Sequence, residues 1–233
     1  MRRTIDSAVN ASKCGDDDSR LLGTFVGRRW RSDALFEYGS GCGRTIQAVR
    51  EQRPSGGHIF GTEIDLTKTK FFIGSSNDDE IALGDAFAFS NSPFDTFMCN
   101  PPMVPHEVGF RTRMMGRYYY LWERILLDLA RRAVPCTVYL CLFELYRSAF
   151  SQFIGRIPDN TAISIVEEER HQRFVRDNSA LTLVSRSYTN RRADNAPHFF
   201  RKFKKSVTIG EQRFVGETQL YLFRIEVNPY EKR

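Results

Sequence analysis

The stretch Ala34-Leu35-Phe36-Glu37-Tyr38-Gly39-Ser40-Gly41-Cys42-Gly43 decides the architecture of this 233-residue chain. Five residues of strand character run into three glycines spaced two apart, and Thr45 to Gln52 then has helix-forming residues that stop before Pro54. Glycine lets the backbone turn tightly and approach a ligand, and the helix that follows places its N-terminus beside the strand's end. By itself the spacing of Gly39, Gly41 and Gly43 fits any tight strand-to-helix turn as well as a dinucleotide site.

The alternation continues outward from that turn. His58 to Thr62 reads as a second strand closed by Glu63-Ile64-Asp65, Leu66 to Phe72 as a helix, and Ile81 to Leu83 as a third strand ending at Gly84-Asp85. Phe94 to Cys99 is a fourth strand. Tyr118 to Ala133 carries Tyr119, Trp122, Ile125, Leu126, Leu129 and Ala133 at helical spacing. Thr137 to Phe143, Ala162 to Val166 and Gln219 to Val227 supply the remaining strands. The expected fold class is α/β: a Rossmann-like, seven-stranded, mostly parallel sheet with helices on both faces. Upstream, residues 1–20 are polar and read as a mobile tail or an added N-terminal strap, and Leu21 to Trp30 as a short helix or loop leading into one domain over 21–233. The region 167–216 fits the alternation poorly and reads as a loop or hairpin insertion near the binding edge.

Composition sets outer bounds. The length suits one well-cored domain, and 41% hydrophobic with 13% aromatic residues excludes a wholly disordered chain. A net charge of +6 favours a polyanionic partner such as nucleic acid. Cys14, Cys42, Cys99, Cys136 and Cys141 show no zinc-like spacing and read as reduced core residues; with the histidines scattered, no metal is expected. No apolar run approaches the ~18 residues needed to span a bilayer, and the N-terminus lacks a signal peptide's apolar core, so an intracellular protein without a membrane partner is expected.

The fourth strand ends unusually. In Phe94-Asp95-Thr96-Phe97-Met98-Cys99-Asn100-Pro101-Pro102-Met103 an apolar run stops at an amide followed by two prolines. Prolines cannot continue a sheet ladder, and they fix the backbone as it leaves the strand. Asn100 is thereby held at a strand's carboxyl end, the edge where open α/β sheets bind ligands. Asn-Pro-Pro alone is ordinary turn punctuation, and the strand ends upstream give it company. Glu63 follows the glycine turn at about 20 residues, where a carboxylate can accept both hydroxyls of a ribose. Asp85 can accept a hydrogen bond from an adenine amino group, and Phe87 can cover the ring face.

Taken together, Phe36 to Gly43, Gly61 to Asp65, Gly84 to Phe87 and Asp95 to Met103 resemble successive motifs of the class I S-adenosylmethionine-dependent methyltransferases. The Asn100-Pro101-Pro102 segment resembles the branch that methylates exocyclic or amide nitrogens, chiefly the N6 of adenine in DNA or RNA, or glutamine in proteins. The resemblance implies S-adenosylmethionine as cofactor, with Glu37, Gly39, Gly41 and Gly43 facing its methionine part, Glu63 its ribose, and Asp85 and Phe87 its adenine. It implies Asn100, Pro101, Pro102 and Met103 at the reacting nitrogen. The family carries an aromatic ring where Met103 stands, and a thioether covers less ring area. Tyr118, Tyr119, Tyr120, Phe110 and His106 are candidates for the missing ring. A protein glutamine N5 methyltransferase, and a catalytically inactive nucleic-acid-binding subunit with a protein partner, therefore remain open beside the adenine-N6 enzyme. Cations interleave with rings at Arg111, Arg113 and Arg117, and again around Arg201, Lys202, Lys204 and Lys205, an arrangement suited to phosphates and unstacked bases.

Overall fold

The computed structural model describes residues 16–66, 79–89, 93–101, 111–114, 117–132, 134–157, 163–177, 179, 182 and 200–229, with side chains for all of these except 16, 17, 89, 111–114 and 117–120. Several expectations lie outside that range: all but Leu66 of the Leu66 to Phe72 helix, Pro102 and Met103, His106 and Phe110, and Cys14.

The described strands are β1 (Ala34–Tyr38), β2 (His58–Glu63), β3 (Asp79–Leu83), β4 (Thr96–Cys99), β5 (Arg111–Met114), β6 (Arg117–Tyr120), β7 (Cys136–Phe143), β8 (Ile163–Arg176), β9 (Arg201–Ile209) and β10 (Gln212–Val227). The helices are α1 (Asp16–Arg29), α2 (Arg44–Gln52), α3 (Leu121–Ala130) and α4 (Glu144–Gly155), with a 3-10 turn over Ala86–Phe89. None is long and apolar enough to cross a membrane.

The main sheet has the order β3-β2-β1-β4-β7-β10-β8, with β9 added on β10. From β3 to β7 every pairing is parallel, whereas β10 runs antiparallel to β7, β8 and β9. The chain is therefore a Rossmann-like α/β protein whose mostly parallel sheet carries one reversed strand and an eighth strand beyond the expected seven. The carboxyl ends of β1, β2, β3, β4 and β7 come to one edge.

Alternating side chains fill two cores. Phe36, Tyr38, Phe97, Cys99, Val138, Leu140, Phe223 and Ile225 face one side, where Trp122, Ile125, Leu126 and Leu129 of α3 and Tyr146 and Phe150 of α4 cover them. Leu35, Met98, Tyr139, Cys141, Leu220 and Leu222 face the other, against Leu22, Phe25 and Val26 of α1 and Ile46 and Val49 of α2. Burial on both faces explains why β4 and β7 read as unbroken apolar runs. On the second side α1 and α2 pack closely at Gly23, where an added Cβ would lie 2.4 Å from the Thr45 carbonyl oxygen and 2.6 Å from the Ala48 Cβ.

Several boundaries depart from the sequence reading. α1 begins at Asp16, so residues 16–20 of the stretch read as tail or strap are helical. Tyr118 to Tyr120 belong to β6, paired with β5, and α3 begins only at Leu121; a run of tyrosines favours a pleated strand over a helix. α4 has no counterpart in the sequence reading, although Tyr146 and Phe150 stand one helical turn apart and bury its inner face. In the poorly patterned region, β9 and β10 form a hairpin turned at Gly210 (φ +58°).

Candidate active site

The parallel edge gathers the residues expected to face the cofactor, together with Asn100 and Pro101. Gly39, Gly41 and Gly43 have φ of +70°, +58° and +82°, the left-handed region that side chains rarely adopt. The turn is tied down from below: the Ser40 N–H donates to the Thr62 carbonyl at 2.8 Å and the Gly43 N–H to the Ser40 carbonyl at 2.9 Å. A Cβ at Gly39 or Gly41 would meet nothing within 4 Å, so the turn faces open space. Gly43 leads into α2, whose N-terminus points at the same space.

Glu63 ends β2 and is buried. Its Oε2 accepts the Gly41 N–H at 2.8 Å and its Oε1 the Asp65 N–H at 2.8 Å. Each oxygen keeps a second acceptor position. Asp85 follows β3; its Oδ1 accepts the Phe87 N–H at 3.0 Å, which caps the 3-10 turn. Phe87 lies half-buried against Tyr38, ring centroids 5.8 Å apart, and the Arg124 guanidinium covers one of its faces at 3.5 Å.

Glu37 sits underneath the glycine turn rather than on its surface, with 1% of its area exposed. Burial pushes its carboxyl up to about 7, the Thr45 and Ser40 hydroxyls oppose that by favouring the charged form, and the Glu63 carboxylate adds to the rise. Its buried Oε2 has no hydrogen-bond partner among the described residues.

Asn100 follows β4 directly, with Pro101 buried behind it. Its Nδ2 donates to the Ser19 Oγ of α1 at 3.0 Å, while its buried Oδ1 has no partner among the described residues. The sequence reading gives no role to Ser19, which lies in the polar stretch read as tail or strap, nor to Thr45 beneath Glu37 or Arg124 over Phe87. For Ser19 the signal was present: Leu22, Phe25 and Val26 repeat at helical spacing just after it. α1 is itself anchored, since Arg173 of β8 donates to Asp18 at 3.1 Å and Arg29 donates to Glu167 at 2.8 Å.

The predicted cations lie elsewhere. Arg111 and Arg113 are on β5 and Arg117 on β6, a separate two-stranded ribbon, and Arg201, Lys202, Lys204 and Lys205 are on β9. Cys42, Cys99, Cys136 and Cys141 are buried, as expected of core thiols. Among the described residues no three His, Cys, Asp or Glu side chains gather as a metal site.

No protein-family model matches the chain, and no curated protein resembles it at sequence level. Solved structures do. A Bacillus halodurans protein provisionally assigned as a methyltransferase superposes with a TM-score of 0.54 at 9% identity, over 90% of this chain and 98% of its own. A Pyrococcus horikoshii protein provisionally assigned as an RNA methyltransferase gives 0.52 at 12% identity, over 91% and 82%. A third, from Thermoplasma acidophilum, gives 0.50 at 11% identity, over 89% and 82%. Identities this low speak to architecture alone: the fold is the one these three proteins adopt.

Proposed function

We propose that the protein transfers a methyl group from S-adenosylmethionine to the N6 amino group of adenine in nucleic acid. The observation that carries this reading is the Asn100 carboxamide, whose Nδ2 is occupied by Ser19 and whose buried Oδ1 lacks a partner among the described residues, placed at the same sheet edge as the open glycine turn. An unsatisfied buried acceptor costs free energy until a donor arrives, and the N–H of an amino group is such a donor.

The residues present fit the cofactor. The backbone of Gly39, Gly41 and Gly43 leaves room for its methionine part, with Glu37 beneath; Glu63 retains acceptor positions for ribose hydroxyls; Asp85 and Phe87 would take the adenine. S-adenosylmethionine supplies an electrophilic methyl on a sulfonium. The chain's own part is alignment: Asn100 Oδ1 and the Pro101 carbonyl accept the two N–H groups of the target amine. Its lone pair, otherwise delocalised into the ring, is thereby turned toward the methyl, and the positive charge growing on nitrogen is stabilised by a few kcal/mol. The nitrogen, once methylated at the expense of the cofactor's S–C bond, would release a proton to solvent.

Glutamine N5 methylation uses the same Asn100 chemistry; the excess of basic residues favours nucleic acid. The test is transfer of isotopically labelled methyl to pooled DNA, RNA and protein in parallel, followed by mass analysis of nucleosides and amino acids. N6-methyladenine is expected. Label in glutamine would replace the substrate, and no label anywhere, with cofactor bound, would leave the inactive-subunit reading.

A further inference from the structure

β8, β9 and β10 continue past the sheet edge that holds the candidate site. β7 ends at Phe143, which faces Leu220 on β10, and Leu220 faces His171 on β8. Residues 172–176 of β8 and 212–219 of β10 therefore stand beyond β7, and β9 pairs only with this outer part. At ~3.3 Å per residue, 172–176 alone reach roughly 16 Å past the end of β7.

One face of this extension carries rings. The Phe174 ring lies 6.2 Å from Phe203 and 6.0 Å from Phe214, and Phe174 is 54% exposed. Alternation along β9 puts Lys205 on the same face as Phe203, and Arg176 is the cross-strand partner of Phe214. Residues 172–177 and 201–217 hold seven Lys and Arg against Asp177, Glu211 and Glu217, an excess of four positive charges within a chain of net charge +6. Two of those carboxylates are themselves matched, Glu217 by Arg201 and Asp177 by Arg213 at 3.8 Å.

We infer that this face is a platform for an unpaired nucleic-acid strand, with Phe174, Phe203 and Phe214 taking base faces and Lys205 and Arg176 taking phosphates. The inference rests on the nucleic-acid reading above and deepens it by choosing a single strand over a duplex. Cations alone serve either form, whereas exposed rings on an open sheet face engage only bases whose faces are free. A single strand also presents its adenine to Asn100 without the cost of flipping it from a stack.

The experiment is fluorescence anisotropy on the full chain with a labelled single-stranded RNA of ~12 nucleotides, the same sequence as DNA, and the corresponding duplexes, at several salt concentrations. The wild type is expected to bind a single strand about tenfold more tightly than its duplex. Phe174→Ala should weaken single-strand binding about tenfold with the salt slope unchanged, Phe174→Tyr should restore it, and Lys205→Ala should reduce the slope by ~0.7. Thermal melts check that each variant folds. Equal affinity for strand and duplex, or no loss in Phe174→Ala, would overturn the inference. So would self-association abolished by Ile209→Asp, because the face would then join two copies of this chain. Binding is read without methyl transfer: a chain that binds the strand yet transfers nothing removes the catalytic reading and keeps this one, and transfer to duplex insensitive to Phe174→Ala does the reverse.

Discussion

At the scale of single residues, the candidate site rests on two buried oxygens without partners among the described residues, Asn100 Oδ1 and Glu37 Oε2. The first is oriented from outside its own strand. Removing the Ser19 hydroxyl frees the Asn100 amide to rotate, so Ser19→Ala should lower kcat about tenfold while cofactor affinity holds, and Ser19→Thr should restore kcat. A Ser19→Ala enzyme with unchanged kcat would mean that Pro101 and the backbone alone hold the amide. The second oxygen has a consequence for stability. With its carboxyl raised from 4.5 to about 7, Glu37 binds its proton more tightly in the folded chain than in the unfolded one. That contribution is fully present below pH 4.5 and is lost as pH rises through about 7. Glu37→Gln removes the titration, so the melting temperature of the wild type should fall relative to the variant across that window, by the equivalent of roughly 3 kcal/mol. Parallel melting curves of the two proteins would contradict it. The acidic strand ends, the glycines and Asn100 were legible from the sequence because each interrupts an apolar run. Ser19 was not, since its role depends on a contact 81 positions away in the chain.

Among the elements, the parallel half of the sheet was readable because its strands are short, doubly buried and closed by glycine or proline. β1 and β2 were expected to within a residue. The antiparallel half was read short: β8 and β10 extend far beyond Ala162 to Val166 and Gln219 to Val227, because their outer halves alternate charged and apolar residues and are bonded to each other rather than covered by helices. α3 was anticipated from its apolar face but placed too early, the tyrosines before it being taken by the β5–β6 ribbon. One contact between elements was invisible in the sequence. Arg50 of α2 donates to Asp79 of β3 through Nη2 at 2.5 Å and Nε at 2.9 Å, and also to the Gly56 and Gly57 carbonyls, with both side chains almost wholly buried. Breaking a buried pair strands one charge, so Arg50→Met should destabilise the fold by about 3–5 kcal/mol, read by denaturant unfolding. Arg50→Met with Asp79→Leu should recover part of that loss; a single variant as stable as the wild type would mean that water reaches Asp79.

For the molecule as a whole, charge and chemistry are separated. The glycine turn, Glu63 and Asn100 lie at the edge of the parallel strands, and the cations concentrate on the projecting β8, β9 and β10, which start from that same edge. In the proposed reaction the first part takes the cofactor and the amine, and the second takes the polyanion. In that reaction the Asn100 amide activates the amine and takes no part in holding the cofactor. The most direct measurement pairs calorimetric titration of S-adenosylmethionine with single-turnover transfer of labelled methyl for wild type and Asn100→Ala. Cofactor affinity unchanged within about twofold, with transfer reduced by at least about a hundredfold, is the predicted result. Transfer at the wild-type rate in Asn100→Ala, or loss of cofactor binding in that variant, would contradict it.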